Sequence, residues 1–129
     1  MKWTIVLDAE TPIYTQILRL VILGVSTGEL EEGEALPPLR GLADALGVNL
    51  HTVRKAYLEL AQRGYVKQEE RQKARIAPLP LDPSSYPSPL QREDLKVLLA
   101  DGLNHGLSKE EVRRLVDELL AELTERSSS

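Results

Sequence analysis

The segment from Leu36 to Tyr65, LPPLRGLADALGVNLHTVRKAYLELAQRGY, holds two amphipathic stripes separated by a turn too short to leave the chain many options. In the first stripe Leu39, Leu42, Ala43 and Leu46 recur at i, i+3, i+4 and i+7, the spacing that lines one face of an α-helix. Pro37 and Pro38 suit a helix start, where a missing N–H costs nothing, and Gly47 suits the left-handed position just past a helix end. In the second stripe Asn49 is the expected N-cap, and Val53, Ala56, Tyr57 and Leu60 repeat the same spacing until Gly64 stops it. A turn as short as Gly47-Val48-Asn49 sets two helices at a steep angle, as in a helix-turn-helix, with Val48 plugging the elbow.

Burying those stripes leaves Leu50, His51, Thr52, Arg54 and Lys55 crowded on the outward side of the second helix, in its first turns. The N-terminal residues of such a helix are the ones presented to base edges in the major groove of DNA. Arginine pairs in a bidentate way with guanine, and threonine meets a thymine methyl or a phosphate. Lys55 is expected on backbone phosphate. The plain alternative is a solvated face with no partner, and the flanking sequence argues against it. Upstream, Thr11 as N-cap and Pro12 as first helical residue open a longer helix whose stripe is Ile13, Ile17, Leu20, Val21 and Gly24, ending near Gly28. Gly33 to Leu36 can supply a very short strand, and the stretches 65–69 and 73–77 can form a hairpin. Helix, short strand, helix, turn, helix and two strands make a winged helix-turn-helix. The fold class is mainly α with a small β-wing.

These residues carry a resemblance. Pro12-Ile13-Tyr14-x-Gln16-Ile17, followed by Gly28, Leu30, Gly33, Leu36-Pro37, Arg40, Leu42-Ala43, Leu46-Gly47-Val48-Asn49, Thr52-Val53-Arg54, Ala56-Tyr57, Leu60 and Gly64, resembles the N-terminal domain of GntR-family transcription regulators over about residues 11–66. The resemblance implies that Arg40, Thr52 and Arg54 contact operator DNA and that Asn49, Leu50 and His51 open the recognition helix. Two departures stand out. Family members often carry a basic residue where Leu50 stands, and their wings usually have Gly at the tip, whereas this chain has Glu69-Glu70-Arg71-Gln72-Lys73. A tight primed turn is not expected there. The glutamates repel phosphate, leaving Arg71, Lys73 and Arg75 as the cations available for a wing contact.

A sequence pI near 5.2 is low for a DNA-binding protein, so the distribution of charge matters. Residues 1–78 hold ten Lys plus Arg against ten Asp plus Glu, and the remaining residues hold six against ten, which accounts for the net charge of −4. Positive potential must therefore be local to Arg40, Arg54, Lys55 and the wing. Non-specific binding should be weak and salt-sensitive.

A proline-rich connector over 78–89 separates the winged domain, 1–77, from a two-helix region over 90–126 and a tail, 127–129, that should fray. Tyr86 is expected to dock the connector. Ser88-Pro89-Leu90-Gln91 has the N-cap, N1 and N3 residues of a helix start, and Leu95, Leu98, Leu99 and Gly102 face one way before a break at 101–106. Ser108 to Glu111 is a second capping box, followed by the stripe Val112, Leu115, Val116, Leu119, Leu120 and Leu123. Two helices of this size bury too little alone. One solution packs them on the winged domain, and the other makes them the interface of a homodimer. The dimer suits DNA, because a two-fold protein places two reading helices about one turn of duplex apart and so reads an inverted repeat. A short two-helix tail also resembles the YtrA-type members of the family; those with a large effector-binding domain have a much longer stretch after the wing. A small-molecule pocket is not expected within one subunit, and any effector is unknown.

Other classes fit less well. No apolar run approaches a membrane span and no leader is visible, so cytoplasmic residence is the expectation. Without cysteine there is no disulfide framework or thiolate metal site. The two histidines, His51 and His105, have no acid or nucleophile at catalytic spacing, and Glu31-Glu32 and Glu110-Glu111 sit at helix starts or turns; no enzyme, cofactor or metal is expected. Met1 to Leu7 should form an arm anchored by Trp3 on the core. The serious rival to a transcriptional regulator, with repression as its expected output, is a winged helix that binds protein. Such a module has no need of both Arg40 and Arg54 beside a reading helix.

Overall fold

The computed structural model describes residues 1–7, 10–68 and 73–124. The chain divides into two compact units, Met1–Leu81 and Asp82–Ser129. The first contains α1 (Ile13–Thr27), α2 (Leu39–Leu46), α3 (Leu50–Gln62), β1 (Val66–Gln68) and β2 (Ala74–Ile76). The second contains α4 (Pro89–Asn104) and α5 (Lys109–Thr124).

In the first unit α3 is the central element and packs on α1, α2 and β1. Ile17 and Val21 of α1, Leu42 of α2, and Val53 and Leu60 of α3 meet with Leu36 in a core from which water is excluded. Each such side chain contributes roughly 1.5–3 kcal/mol by leaving water. The buried stripe of α1 differs from the expected one: Ile17, Leu18, Val21 and Gly24 are buried, while Ile13 and Leu20 are only half-buried. Its start also differs from the sequence expectation. Pro12, with φ −56° and ψ 148°, is the cap, Ile13 is the first helical residue, and no side chain caps the helix. Thr11 instead offers its carbonyl to the Gln16 side chain, at 3.0 Å. Gln16 uses the rest of its amide to pin the N-terminal arm, accepting from the Val6 N–H at 2.8 Å and donating to the Val6 carbonyl at 2.9 Å. Trp3 packs against the core from the same arm. Where the arm crosses α1 the space is tight: a Cβ on Gly24 would lie 3.0 Å from Met1 Sδ and 3.1 Å from Leu30 Cδ1.

β1 and β2 pair antiparallel, with Val66 opposite Ile76 and Gln68 opposite Ala74. The segment 33–36 lies along the free edge of β2. The Gly33 N–H donates to the Ile76 carbonyl at 2.8 Å, the Ile76 N–H to the Glu34 carbonyl at 2.9 Å, and the Leu36 N–H to the Ala74 carbonyl at 2.8 Å. β2 is thus flanked on both sides. Ala74 and Ile76 point into the core, while Arg75 points out and donates to the Gly33 carbonyl at 3.1 Å. That bond commits the Arg75 guanidinium to the sheet. The wing tip with Arg71, expected from sequence to reach DNA, lies outside the described residues.

In the second unit the connector is not wholly extended, because Pro83–Ser85 forms one 3-10 turn that Asp82 caps through the Ser84 N–H, at 3.0 Å. Tyr86 is 64% exposed, contrary to the expected docking. Ser88 and Gln91 close a capping box on α4: the Gln91 N–H donates to Ser88 Oγ at 3.1 Å and the Ser88 N–H to Gln91 Oε1 at 2.9 Å. The helix runs through Asp101 and Gly102 to Asn104, so the break expected at 101–106 begins only at His105. One glycine costs a helix interior about 1 kcal/mol, too little to end a well-capped helix that has a packing neighbour. The turn itself uses Gly106 at φ 92°. Ser108 and Glu111 then form the second box, with the Ser108 N–H 2.9 Å from Glu111 Oε1 and the Glu111 N–H 3.1 Å from Ser108 Oγ. Hydrogen bonds from the Ser108 backbone and side chain hold the Glu111 carboxyl below its usual range. The two helices pack on each other, yet neither contains a buried residue. Leu95, Leu98, Leu99, Leu115, Val116, Leu119 and Leu120 are between 37% and 68% exposed, and Val112 and Leu123 are half-buried.

Candidate nucleic-acid interface

The entry to α3 is built as its residue types dictate. Gly47 takes the left-handed conformation, φ 70°, that ends α2, and Asn49 stays extended so that its Oδ1 accepts from the His51 backbone N–H at 2.8 Å. Val48, between them, is half-buried against the core. The angle between α2 and α3 is locked further along by the Tyr57 hydroxyl, which donates to the Pro37 carbonyl at 2.6 Å. Burial pushes the Tyr57 hydroxyl well above its usual pKa, so it remains a donor. Val53, Ala56, Tyr57 and Leu60 face inward.

The outward face carries His51, Arg54 and Lys55, all exposed, and continues along the helix through Leu58, Glu59 and Gln62 to form a shallow groove. The face thus extends beyond Lys55, as helical periodicity allows, since Leu58 and Gln62 follow Arg54 and Lys55 by four and seven residues. Leu58 stands 52% exposed in the middle of a polar face. Leu50 does not belong there. It is half-buried and packs against the core, because the first residue of α3 falls on the same side as Tyr57. Thr52 is half-buried at the edge of the face, Arg40 is exposed on α2, and Lys73 is exposed just before β2.

The two cations at the centre of the face each have a neighbour. Arg54 Nη1 lies 3.2 Å from His51 Nδ1. Lys55 Nζ sits 3.9 Å from the centroid of the Tyr14 ring of α1, a cation–π contact worth roughly 0.5–1 kcal/mol at an exposed site. The carboxylate on the same face, Glu59, is taken up by Arg63 at 3.0 Å, which draws its charge away from Arg54 and Lys55. Among the described residues no cluster of three or more His, Asp or Glu is placed to hold a metal ion. His105 Nδ1 is 2.8 Å from the Asp101 carbonyl and 3.5 Å from its Oδ1, a local pairing on one helical turn. No described helix is long and apolar enough to cross a membrane.

Residues 13–76 match the model of the bacterial regulatory proteins of the gntR family, and the chain is 31% identical over 105 residues to the uncharacterized HTH-type transcriptional regulator YhcF of Bacillus subtilis strain 168, covering 81% of this chain and 87% of that protein. The chain belongs to the GntR family. Its relatives are transcriptional regulators, not enzymes. Against the first curated regulators it matches, this GntR-family chain spans only 24% and 52% of their lengths. The crystal structure of a transcriptional antiterminator from Listeria monocytogenes EGD-e has a TM-score of 0.86 at 31% identity, covering 100% of this chain and 97% of that one. YtrA from Sulfolobus acidocaldarius, a GntR-family transcription factor, has a TM-score of 0.58 at 33% identity, covering 94% and 98%.

Proposed function

We propose that this GntR-family chain is a sequence-specific regulator that binds an inverted-repeat operator as a homodimer, with α3 in the major groove. The observation that carries the reading is the outward face of α3: His51, Arg54 and Lys55 are exposed in the first turns, where a reading helix meets base edges. Arg54 is assigned to a base and Lys55 to phosphate. Arg40 supplies a second phosphate contact from α2, and Asn49, Thr52 and Lys73 border the face. Pairing of two chains is assigned to α4 and α5, where Leu95, Leu98, Leu115, Leu119 and Leu120 remain exposed although the two helices pack on each other. An apolar stripe of that kind is a subunit contact in a protein whose partner must be two-fold. Repression is the output that occupancy of a promoter supplies by itself, and cytoplasmic residence accompanies access to DNA.

Selection of bound duplexes from a random pool tests the reading. Recovery of an inverted repeat supports it, and a pool without enrichment favours a winged helix that binds protein. On the selected site, Arg54→Ala should cost about 1–3 kcal/mol and relax preference at one base position per half-site, whereas Lys55→Ala should weaken all duplexes alike and lower the salt slope by about one. An equal loss on every duplex for Arg54→Ala would reassign Arg54 to phosphate.

A further inference from the structure

His51 and Arg54 are three residues apart and on the same face of α3, with Arg54 Nη1 3.2 Å from His51 Nδ1. A guanidinium has only donors, so a hydrogen bond in this contact requires the neutral ring with its lone pair on Nδ1 and its proton on Nε2. Two things follow from that tautomer. The guanidinium, otherwise free to sweep through its rotamers, gains an acceptor one helical turn away. The Nε2–H of the imidazole is left as a donor. Protonated imidazole donates from both nitrogens, so it cannot accept from Arg54 and repels it instead. The backbone of His51 is separately committed, its N–H bonding to the Asn49 cap, so the ring's role is not to hold the helix start.

The charged groups sharing the groove with His51 are Arg54, Lys55 and Glu59 of α3. Glu59 is engaged by Arg63, and Lys55 by the Tyr14 ring of α1. On the other elements packed against α3, Arg19 of α1, Arg40 and Asp44 of α2, and Lys67 of β1 make no hydrogen bond or ion pair with His51 among the described residues. Among the described residues no carboxylate pairs with His51, so a cationic His51 adds to the positive potential of the face.

We propose that His51 is a positioning residue for Arg54: the neutral ring holds the guanidinium in the pose that reads a base edge, and proton uptake releases it, exchanging sequence discrimination for non-specific attraction to DNA. This rests on the operator-binding reading of α3. A merely solvated histidine would add charge at low pH without altering selectivity. A positioning histidine makes the two quantities move in opposite directions.

The test measures the affinity of the full chain for three duplexes at constant ionic strength from pH 8 to pH 5.5: the selected operator, the operator altered at the base assigned to Arg54, and a random duplex. In the native chain the operator-to-altered ratio should fall about three- to tenfold toward low pH while affinity for the random duplex rises. His51→Gln, whose side-chain oxygen accepts from Arg54 without titrating, should keep the ratio and flatten its pH profile. His51→Ala should lower the ratio at every pH, with thermal unfolding unchanged because the Asn49 cap remains. The Gln variant also isolates His51, since any pH dependence left in it belongs to groups other than His51. A selective native chain with a flat ratio, or a Gln variant that behaves like the Ala variant, overturns the role of His51 and leaves operator binding standing. A chain that prefers no duplex overturns both.

Discussion

Leu60 of α3 and Leu119 of α5 are identical side chains on the apolar stripes of two helices of similar length, yet the first is 0% exposed and the second 47%. The contrast extends to how the helices are specified. Neither α1 nor α2 has a side-chain cap at its start; each opens after a proline and closes on a left-handed glycine, Gly28 and Gly47. In the C-terminal unit both helices open on complete capping boxes, Ser88 with Gln91 and Ser108 with Glu111, and neither buries a residue. The winged unit adds to its local helix signals a core packed around α3. The hairpin is defined by local signals, and its apolar faces are left for another surface.

The largest effects should come from the packed unit. Leu60→Ala removes a fully buried side chain at the junction of the core and should cost about 2–5 kcal/mol, read as a lower urea midpoint. A loss below about 1 kcal/mol would mean the core around α3 collapses on the gap, and the contrast would weaken. Leu119→Glu breaks the comparison from the other side. On a solvated face it should cost under about 0.5 kcal/mol, whereas in a subunit interface it should weaken association by at least about tenfold and give monomers in sedimentation. A variant that stays dimeric would place the interface away from α5.

Tyr57 offers a smaller and pH-dependent probe. Burial raises its hydroxyl pKa above the unfolded value of about 10, so the neutral form is favoured by folding. That contribution is complete below about pH 10 and is lost as pH rises toward the folded value. Tyr57→Phe should cost about 1 kcal/mol near neutrality, through the lost bond to the Pro37 carbonyl, and should make the alkaline decline in stability shallower than in the native chain. An unchanged decline would show that other groups govern it. The smallest effect is at Gly102, where an added Cβ would meet Leu107 and Val112 at ordinary distances, 3.7 and 3.8 Å. Gly102→Ala should stabilise the hairpin by about 0.5–1 kcal/mol, measured by thermal unfolding, and a destabilised variant would mean the two helices approach more closely than this.

Much of the reading unit was legible because its signals are short-range. Gly47 and Asn49 mark a helix end and a helix start with no help from the rest of the chain, and the spacing of Val53, Ala56, Tyr57 and Leu60 identifies the buried side. The errors fall where a local rule met a tertiary decision. Thr11 is a good cap residue, but Gln16 needs its carbonyl and Pro12 takes the cap position. Leu50 sits among polar neighbours in sequence, while helical geometry turns it to the side of Tyr57, half-buried against the core. Gly102 looks like a break because glycine disfavours helices, and the capping box and the packing of α5 outweigh it. Arg75 reads as a free wing cation until the sheet brings the Gly33 carbonyl to it, 42 residues away in sequence.

The sequence by itself determined the order of elements, the turn between α2 and α3, the caps of α4 and α5, and the set of polar residues from which a reading face could be drawn, since periodicity and capping act within a few residues. Tertiary structure decided which members of that set are available. It placed Lys55 over Tyr14, packed one side of Leu50 against the core and bonded Arg75 to the Gly33 carbonyl. Those outcomes depend on which helix crosses α3 and at what angle, and the core side chains set that geometry from positions far apart in the chain.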